Sequence, residues 1–300
     1  MSAAETPGNV SFLGLGTMGS ALAEALLEHV HAVTVWNRSS DRAPALVDQG
    51  AVLAQSVEEA IEASPVTVVC VLDHAATMAI LVGNGARRAA EGRTIVQLST
   101  MTSDESRELA EWADACGARY LDGQILSYPD DVRSGRGWIV CSGPSDLCAE
   151  HAALLKAAAG NVLHAGESNG AAPAFDKAHL SFALGYYLSF LHGAAMCARS
   201  GVDLRTWCDY NLRHMASGAV PRQLSILADQ VCGRSYDAGM DATIDVWRGA
   251  LQKVLAECDA SGTDRAHLIA VADLMAHAVS TDRGSKELGA LYESILAASG

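Results

Sequence analysis

Short apolar runs alternate with amphipathic ones along the first half of the chain. Asn9–Leu15, Ala32–Asn37, Val66–Leu72, Thr94–Leu98, Arg119–Leu121 and Trp138–Ser142 are brief and rich in Val, Ile, Leu and Thr, as buried strands are. Helical runs separate most of them, Ser103–Cys116 among these. Alternation of this kind predicts an α/β domain over 1–165 with a doubly wound, mostly parallel sheet covered on both faces. After Gly166 the pattern changes. A continuous helical run spans 171–199, and helical patterns follow near 203–216, 222–232, 241–261, 264–280 and 285–297. No convincing strand remains there. The expected division is 1–165, a long interdomain helix in 166–200, and an all-helical domain in 201–300.

The run 171–199 is unusual. At about 1.5 Å per residue it would extend for about 43 Å, wider than a small domain. Asp176, Lys177 and Arg199 are its charged residues, and a helix apolar all round must be buried all round. One small helical domain cannot do that, so a second subunit is expected to wrap it in a homodimer.

Composition narrows the classes. The 300 residues are 50% hydrophobic and 19% charged, which excludes disorder and suits two cores. A net charge of −14 with only four lysines (Lys156, Lys177, Lys253, Lys286) argues against nucleic acid. The longest unbroken apolar run, Pro65–Leu72, is strand-sized, so no membrane span is expected. MSAAETPGNV has no basic and apolar leader pattern, and a cytoplasmic location is the expectation. The eight cysteines are scattered, and most read as small buried thiols. Neither they nor His29-x-His31 supply a metal-ligand set, and no metal is expected.

Chemistry begins at Gly14-Leu15-Gly16-Thr17-Met18-Gly19, a G-x-G-x-x-G that follows a strand and opens a helix. The glycines permit a tight turn and let backbone amides approach a pyrophosphate at the helix N-terminus. At the end of the next strand an NAD site would carry Asp or Glu for the ribose 2′-hydroxyl. Asn37 stands there instead, followed by Arg38, Ser39 and, further on, Arg42, which suit a 2′-phosphate. NADPH is therefore the expected cofactor. Ser39–Asp41 can also serve as an ordinary helix cap.

From GLGTMGSALAEALLEHVHAVTVWNRSSDRAPALVDQGA onward the chain resembles the imine reductases and reductive aminases, relatives of the β-hydroxyacid dehydrogenases. VCVLDHAAT, YLDGQILSYPDD, GAAPAFDKAHLSF…SFLHGAA and DATIDVWRGALQKVL extend the likeness over nearly the whole chain. The resemblance implies a Rossmann-type domain, a 6-phosphogluconate dehydrogenase-like C-terminal domain and a domain-swapped homodimer. It implies NADPH-dependent hydride transfer to C=N carbons, with an active cleft between one subunit's nucleotide domain and the other's helical domain. It places Val71 and Leu72 against the cofactor, with Ser99 and Thr100 near the nicotinamide. It places Thr100, Leu126, His179, Leu180 and Trp247 around the substrate. Trp247 would offer a cation–π face to an amine or iminium, or serve as core.

The catalytic positions depart from the family's pattern. The lysine of the β-hydroxyacid dehydrogenase motif G-x-x-x-K-x-x-x-N falls at Ala174 and its asparagine at Ala178, with Lys177 three residues late. Imine reductases usually carry Tyr-Asp at the start of the long helix, then Asp or Tyr eight residues after that Asp. Phe175-Asp176 fills the pair, and Leu184 takes the later position, anchored by His192 in Phe-Leu-His. Leucine cannot donate a proton. Asp176 is the candidate for stabilising a cationic iminium, or else a first-turn carboxylate facing the helix dipole. Tyr187 is on the same helical face about 16 Å further along. Two rival readings stay open: an NADP-dependent β-hydroxyacid or carbonyl oxidoreductase, and a catalytically impaired NADP-binding sensor or scaffold.

Overall fold

The structure is a computed structural model and describes residues 8–30, 32–217, 219–237, 239 and 242–297. His31, Asp241 and the first seven residues, on which parts of the sequence reading fall, lie outside these.

Eight strands form one sheet in the first half. They are β1 (Val10–Leu13), β2 (Val33–Trp36), β3 (Val52–Leu53), β4 (Val66–Val69), β5 (Thr94–Gln97), β6 (Arg119–Ile125), β7 (Gly137–Ser142) and β8 (Gly160–His164). Their order is β3-β2-β1-β4-β5-β6-β7-β8. All neighbours are parallel except β6 and β7, which are antiparallel. The helices are α1 (Thr17–Leu27), α2 (Pro44–Asp48), α3 (Val57–Glu62), α4 (His74–Leu81), α5 (Asn84–Ala90), α6 (Ser103–Ala115), α7 (Pro129–Arg133) and α8 (Ser145–Ala159). Successive side chains of β1 show why both sheet faces must be covered. Phe12 packs into a core that includes Leu22, Leu26 and Leu155, whereas Leu13 packs into another that includes Ile61, Leu109 and Trp112.

β3, β8 and the second half of β6 go beyond the strands expected from sequence. In β6 the polar run Asp122-Gly123-Gln124 masks a strand whose residues are fully paired with β7. β8 is an edge strand of mixed polarity, carrying Gly160, Asn161 and His164. The cysteine expectation also needs correction. Cys141 on β7 and Cys148 on α8 are joined as a disulfide, because the turn at Gly143-Pro144 folds the helix back over the strand end. Cys232 is exposed, while Cys70 and Cys258 are buried free thiols.

The long helix α9 runs over Ala171–Arg199. Its start is tied to the sheet. The Ala172 amide donates to Ser142 Oγ (2.9 Å), that hydroxyl lies 3.4 Å from Asp122 Oδ2, and Ser103 Oγ donates to the Gly170 carbonyl (2.8 Å). Asp122 itself is fully buried. Burial pushes its carboxyl up from 3.8 to about 6, against the pull of Ser106, Gly170, Ser142 and Gln124. The folded state thus binds this proton more tightly than the unfolded chain does. Its contribution to stability falls as pH rises from about 4 to 6, by about 3 kcal/mol, and stays low above that. Asp122→Asn should remove the slope. Calorimetric Tm values of variant and parent should diverge by several degrees across that window, in the variant's favour as pH rises; parallel curves would exclude the assignment.

The chain forms two compact units that part between Ala183 and Leu184, inside α9. The second unit contains the rest of α9 with α10 (Leu204–Ser217), α11 (Ala219–Gly233), α12 (Ile244–Ser261), α13 (Ala266–Ser280) and α14 (Leu291–Ala297). Its small core gathers Ile244, Met275, Ala278 and Ala290. A single bridge pairs Thr243 with Glu287. Within α9 only Ala172, Pro173 and Asp176 are buried. By length and composition α9 could cross a membrane, with a mean hydropathy of 1.2 over its best window. The expectation drawn from unbroken runs missed this, since isolated polar residues interrupt the helix without lowering its average much. The same test is passed by the core helix of a soluble protein.

Candidate functional site

A cleft of about 830 Å³ opens at the carboxyl ends of β1, β2 and β4, where the strand order reverses. In doubly wound sheets this is where ligands bind. The three motif glycines do separate jobs. Gly14 has φ +102°, and a Cβ there would overlap the Cys70 carbonyl, so β1 and β4 could not approach. A Cβ on Gly19 would overlap the Gly14 carbonyl. At Gly16 a Cβ would meet no protein atom; it would stand in the cleft. Gly16 is also the N-cap of α1, without a side-chain cap and with no acidic residue in the first turn. The helix therefore presents uncapped amides and a positive dipole end to the space an anion would fill.

Asn37 is occupied. Its Oδ1 accepts the Leu15 amide (2.9 Å), and its Nδ2 donates to the Ser39 carbonyl (2.8 Å). It pins the glycine turn to the end of β2 and, being uncharged, offers a ribose hydroxyl no carboxylate. Arg38, Ser39 and Arg42 line the cleft beyond it and are exposed. Neither arginine makes an ion pair with a described residue. Two unpaired guanidinium groups beside an uncharged Asn suit a phosphate dianion and would lack a partner against a bare hydroxyl. These residues fit a dinucleotide carrying a 2′-phosphate.

Of the other expected cofactor residues, Thr17, Met18, Val71 and Leu72 line the cleft. Leu15 contributes through its amide, its side chain being buried in the core. Ser99 is buried and does not line it: its Oγ accepts the Val71 amide (2.9 Å) and donates to Gln97 Oε1 (3.2 Å), while Gln97 Nε2 donates to Thr77 Oγ1 (2.8 Å). This chain holds the ends of β4 and β5 and α4 in register. Ser99 is thus a positioning group in this structure, and the exposed Thr100 beside it is outside the cleft lining. Sequence reasoning missed Gln97 and Thr77, whose signal was only a polar residue inside a buried strand and another on a short helix. It also missed Glu58, Ala76, Ala79 and Ile80 as lining residues. Cys70 lines the cleft too, but burial pushes its thiol up to about 12, which leaves it protonated and unreactive.

Asp176 is 7% exposed, on the buried side of the first turns of α9, and Lys177 Nζ lies 2.7 Å from its Oδ2. Further along, His179 and Leu180 are exposed, Leu184 is 66% exposed and Tyr187 52% exposed. Leu126 is half-buried just past β6, its amide donating to the Trp138 carbonyl (3.0 Å). Trp247 packs against the small core of the second unit, its indole N–H without a hydrogen-bond partner. His192 Nε2 contacts the Asp264 carbonyl at 2.7 Å within that same unit. Among the described residues, no group of three or more His, Cys, Asp and Glu could hold a metal ion.

Comparison with known proteins agrees with this layout. Residues 9–166 match the NAD binding domain of 6-phosphogluconate dehydrogenase, and residues 168–297 match the C-terminal domain described as NADPH-dependent reductive aminase-like. The chain is 29% identical over 291 residues to an NADPH-dependent reductive aminase of Aspergillus oryzae, covering 95% of this chain and 96% of the relative. A solved imine reductase from Pseudomonas sp. is 31% identical, with a TM-score of 0.84 over 96% of this chain and 99% of its own. A reductive aminase from Aspergillus terreus, solved with NADPH and ethyl-5-oxohexanoate, is 30% identical, with a TM-score of 0.84 over 97% of this chain and 100% of its own. With its glycine turn, its open 2′-phosphate corner and its two matched halves, the chain belongs to the imine reductase and reductive aminase family, on a nucleotide-binding domain of the 6-phosphogluconate dehydrogenase type.

Proposed function

We propose that the protein is an NADPH-dependent oxidoreductase that reduces C=N bonds of imines or iminium ions to amines, including imines formed from a ketone and an amine. The observation that carries the cofactor half is the cleft corner, where Asn37 is engaged by the backbone and Arg38 and Arg42 are left unpaired. The substrate half rests on family membership and on the names of the relatives, reductive aminase and imine reductase. The rival readings lose ground. Ala174 stands where the β-hydroxyacid dehydrogenases need lysine, and an intact cleft gives a lost-function scaffold no support beyond Leu184.

Bound NADPH supplies the hydride. The α1 amides and Gly16 hold the pyrophosphate, and Arg38 with Ser39 and Arg42 holds the 2′-phosphate. The Ser142–Ala172 bond fixes the first turn of α9, and with it Asp176. A buried carboxylate there stabilises a cationic iminium, which arrives already protonated and so needs no acid at Leu184. Lys177 neutralises Asp176 in the free protein, so substrate cation and Lys177 compete for the same oxygens. Leu126, His179, Leu180, Tyr187 and Trp247 are proposed to line the substrate's approach, with Thr100 near the nicotinamide.

The protein is also proposed to act as a homodimer. Phe182, Leu184, Leu188, Leu191 and Tyr187 lie exposed along α9, more apolar surface than a lone chain usually leaves in water. Each subunit's nucleotide domain would then complete a site with the other's helices. Sedimentation at micromolar concentration should give a dimer of 31.3 kDa chains; a monomer would remove this part.

The deciding experiment for function is a panel of cyclic imines and ketone–amine pairs, followed by NADPH oxidation. Turnover of cyclic imines is expected, with cofactor titration by fluorescence at least tenfold tighter for NADPH than NADH. Equal affinity for the two would overturn the 2′-phosphate assignment. Oxidation of small hydroxy acids with NADP+, without imine turnover, would transfer the protein to the carbonyl class.

A further inference from the structure

The cleft that must receive a strongly anionic dinucleotide contains one carboxylate, Glu58. Its neighbour explains by contrast what it does not do. Ser56 caps α3 by accepting the Glu59 amide, and Glu59 reaches back to the Gln55 amide (2.7 Å). Glu59 is thus consumed by the cap. Glu58 is half-buried in the cleft wall and makes no hydrogen bond or ion pair with a described residue. Its side chain is seated against Gly85, where any Cβ would collide with the carboxyl group. A side chain so held would repel the cofactor unless it met a hydrogen-bond donor.

The surroundings say which donor. Beyond the arginine corner the cleft is walled by Val57 and by Ala76, Ala79 and Ile80, which share one face of α4. These side chains give the cleft an apolar wall suited to the face of an aromatic base, with Glu58 among the lining residues. Adenine has one strong donor on its edge, the N6 amino group, and a carboxylate only accepts.

We infer that Glu58 selects adenine as the base of the dinucleotide by accepting a hydrogen bond from its N6 amino group. This rests on the NADPH reading above. Hypoxanthine presents an oxygen where adenine has the amino group, and an oxygen facing a carboxylate is repelled. A site built to pair one polar group discriminates strongly against an analogue that lacks it.

The test compares NADPH with its hypoxanthine analogue, nicotinamide hypoxanthine dinucleotide phosphate, in the whole protein, with Kd read from nicotinamide fluorescence. The parent should prefer NADPH by about tenfold or more. Glu58→Gln should compress that preference to within about threefold, because a glutamine amide can donate to the hypoxanthine oxygen. A merely structural role at Gly85 would weaken both dinucleotides equally and leave the ratio intact. A parent ratio near one, or a ratio unchanged in Glu58→Gln, overturns the inference while leaving NADPH as cofactor. Failure of both dinucleotides to bind overturns the cofactor reading and this inference with it.

Discussion

Replacing Asp176 by alanine should lower kcat/KM for a cyclic imine such as a pyrroline by about a hundredfold, the scale of removing one preorganised electrostatic group from a reacting centre. The effect should fall on turnover and leave cofactor affinity nearly unchanged, since Asp176 is not among the residues lining the dinucleotide cleft. Asp176→Asn keeps the shape and removes the charge, so an equal loss there assigns the effect to charge and not to packing. Lys177 is 43% exposed and can turn into water when its partner is removed, so the fold should survive. Thermal melting checks this. Full imine reduction by a folded Asp176→Ala protein would end the proposed role, and with it the account of how Leu184 is tolerated.

Gly14→Ala and Gly16→Ala should both abolish tight cofactor binding, for different reasons. At Gly14 the backbone has φ +102° and the new Cβ would overlap the Cys70 carbonyl. Either the turn or the β1–β4 contact must give, at a cost of more than about 2 kcal/mol, so Tm should fall by many degrees. At Gly16 φ is −67° and the Cβ meets no protein atom. That variant should melt within about a degree or two of the parent, yet bind NADPH at least about tenfold more weakly, because its methyl group takes the place of the pyrophosphate. Undiminished affinity in Gly16→Ala would mean the pyrophosphate does not lie over α1.

Contrast among the acidic residues explains which parts of the site could be read in advance. Asp176 stands out in a run of apolar residues, so its placement needs only a helix and its periodicity. Glu58 and Glu59 are indistinguishable in sequence, both being first-turn carboxylates after a capping serine. Glu59 meets its own backbone, whereas Glu58 lines the cleft with its carboxyl against Gly85, distant in the chain. Asp122 likewise argued against a strand in sequence. Its strand is held by pairing with β5 and β7, and the Ser142 hydroxyl of β7 meets its buried carboxyl.

The cysteine pair follows the same logic. Cys141 and Cys148 read as unrelated small apolar residues until the turn at 143–144 superposes the strand end and the helix. Within α9 one helical pattern runs on through Ala183 and Leu184, where the two compact units part.

The sequence alone determined the alternation of strands and helices, the glycine turn, the missing acidic residue at Asn37 and the length of α9. These are local: a φ value, a period of two or 3.6, or a missing charge follows from neighbouring residues. Tertiary structure alone decided that Asn37 is held by the Leu15 amide, that Ser99 braces Val71 and does not line the cleft, and that Glu58 lines the cleft with its carboxyl against Gly85. Each depends on groups far apart in the chain coming together, a condition that no spacing along the chain encodes.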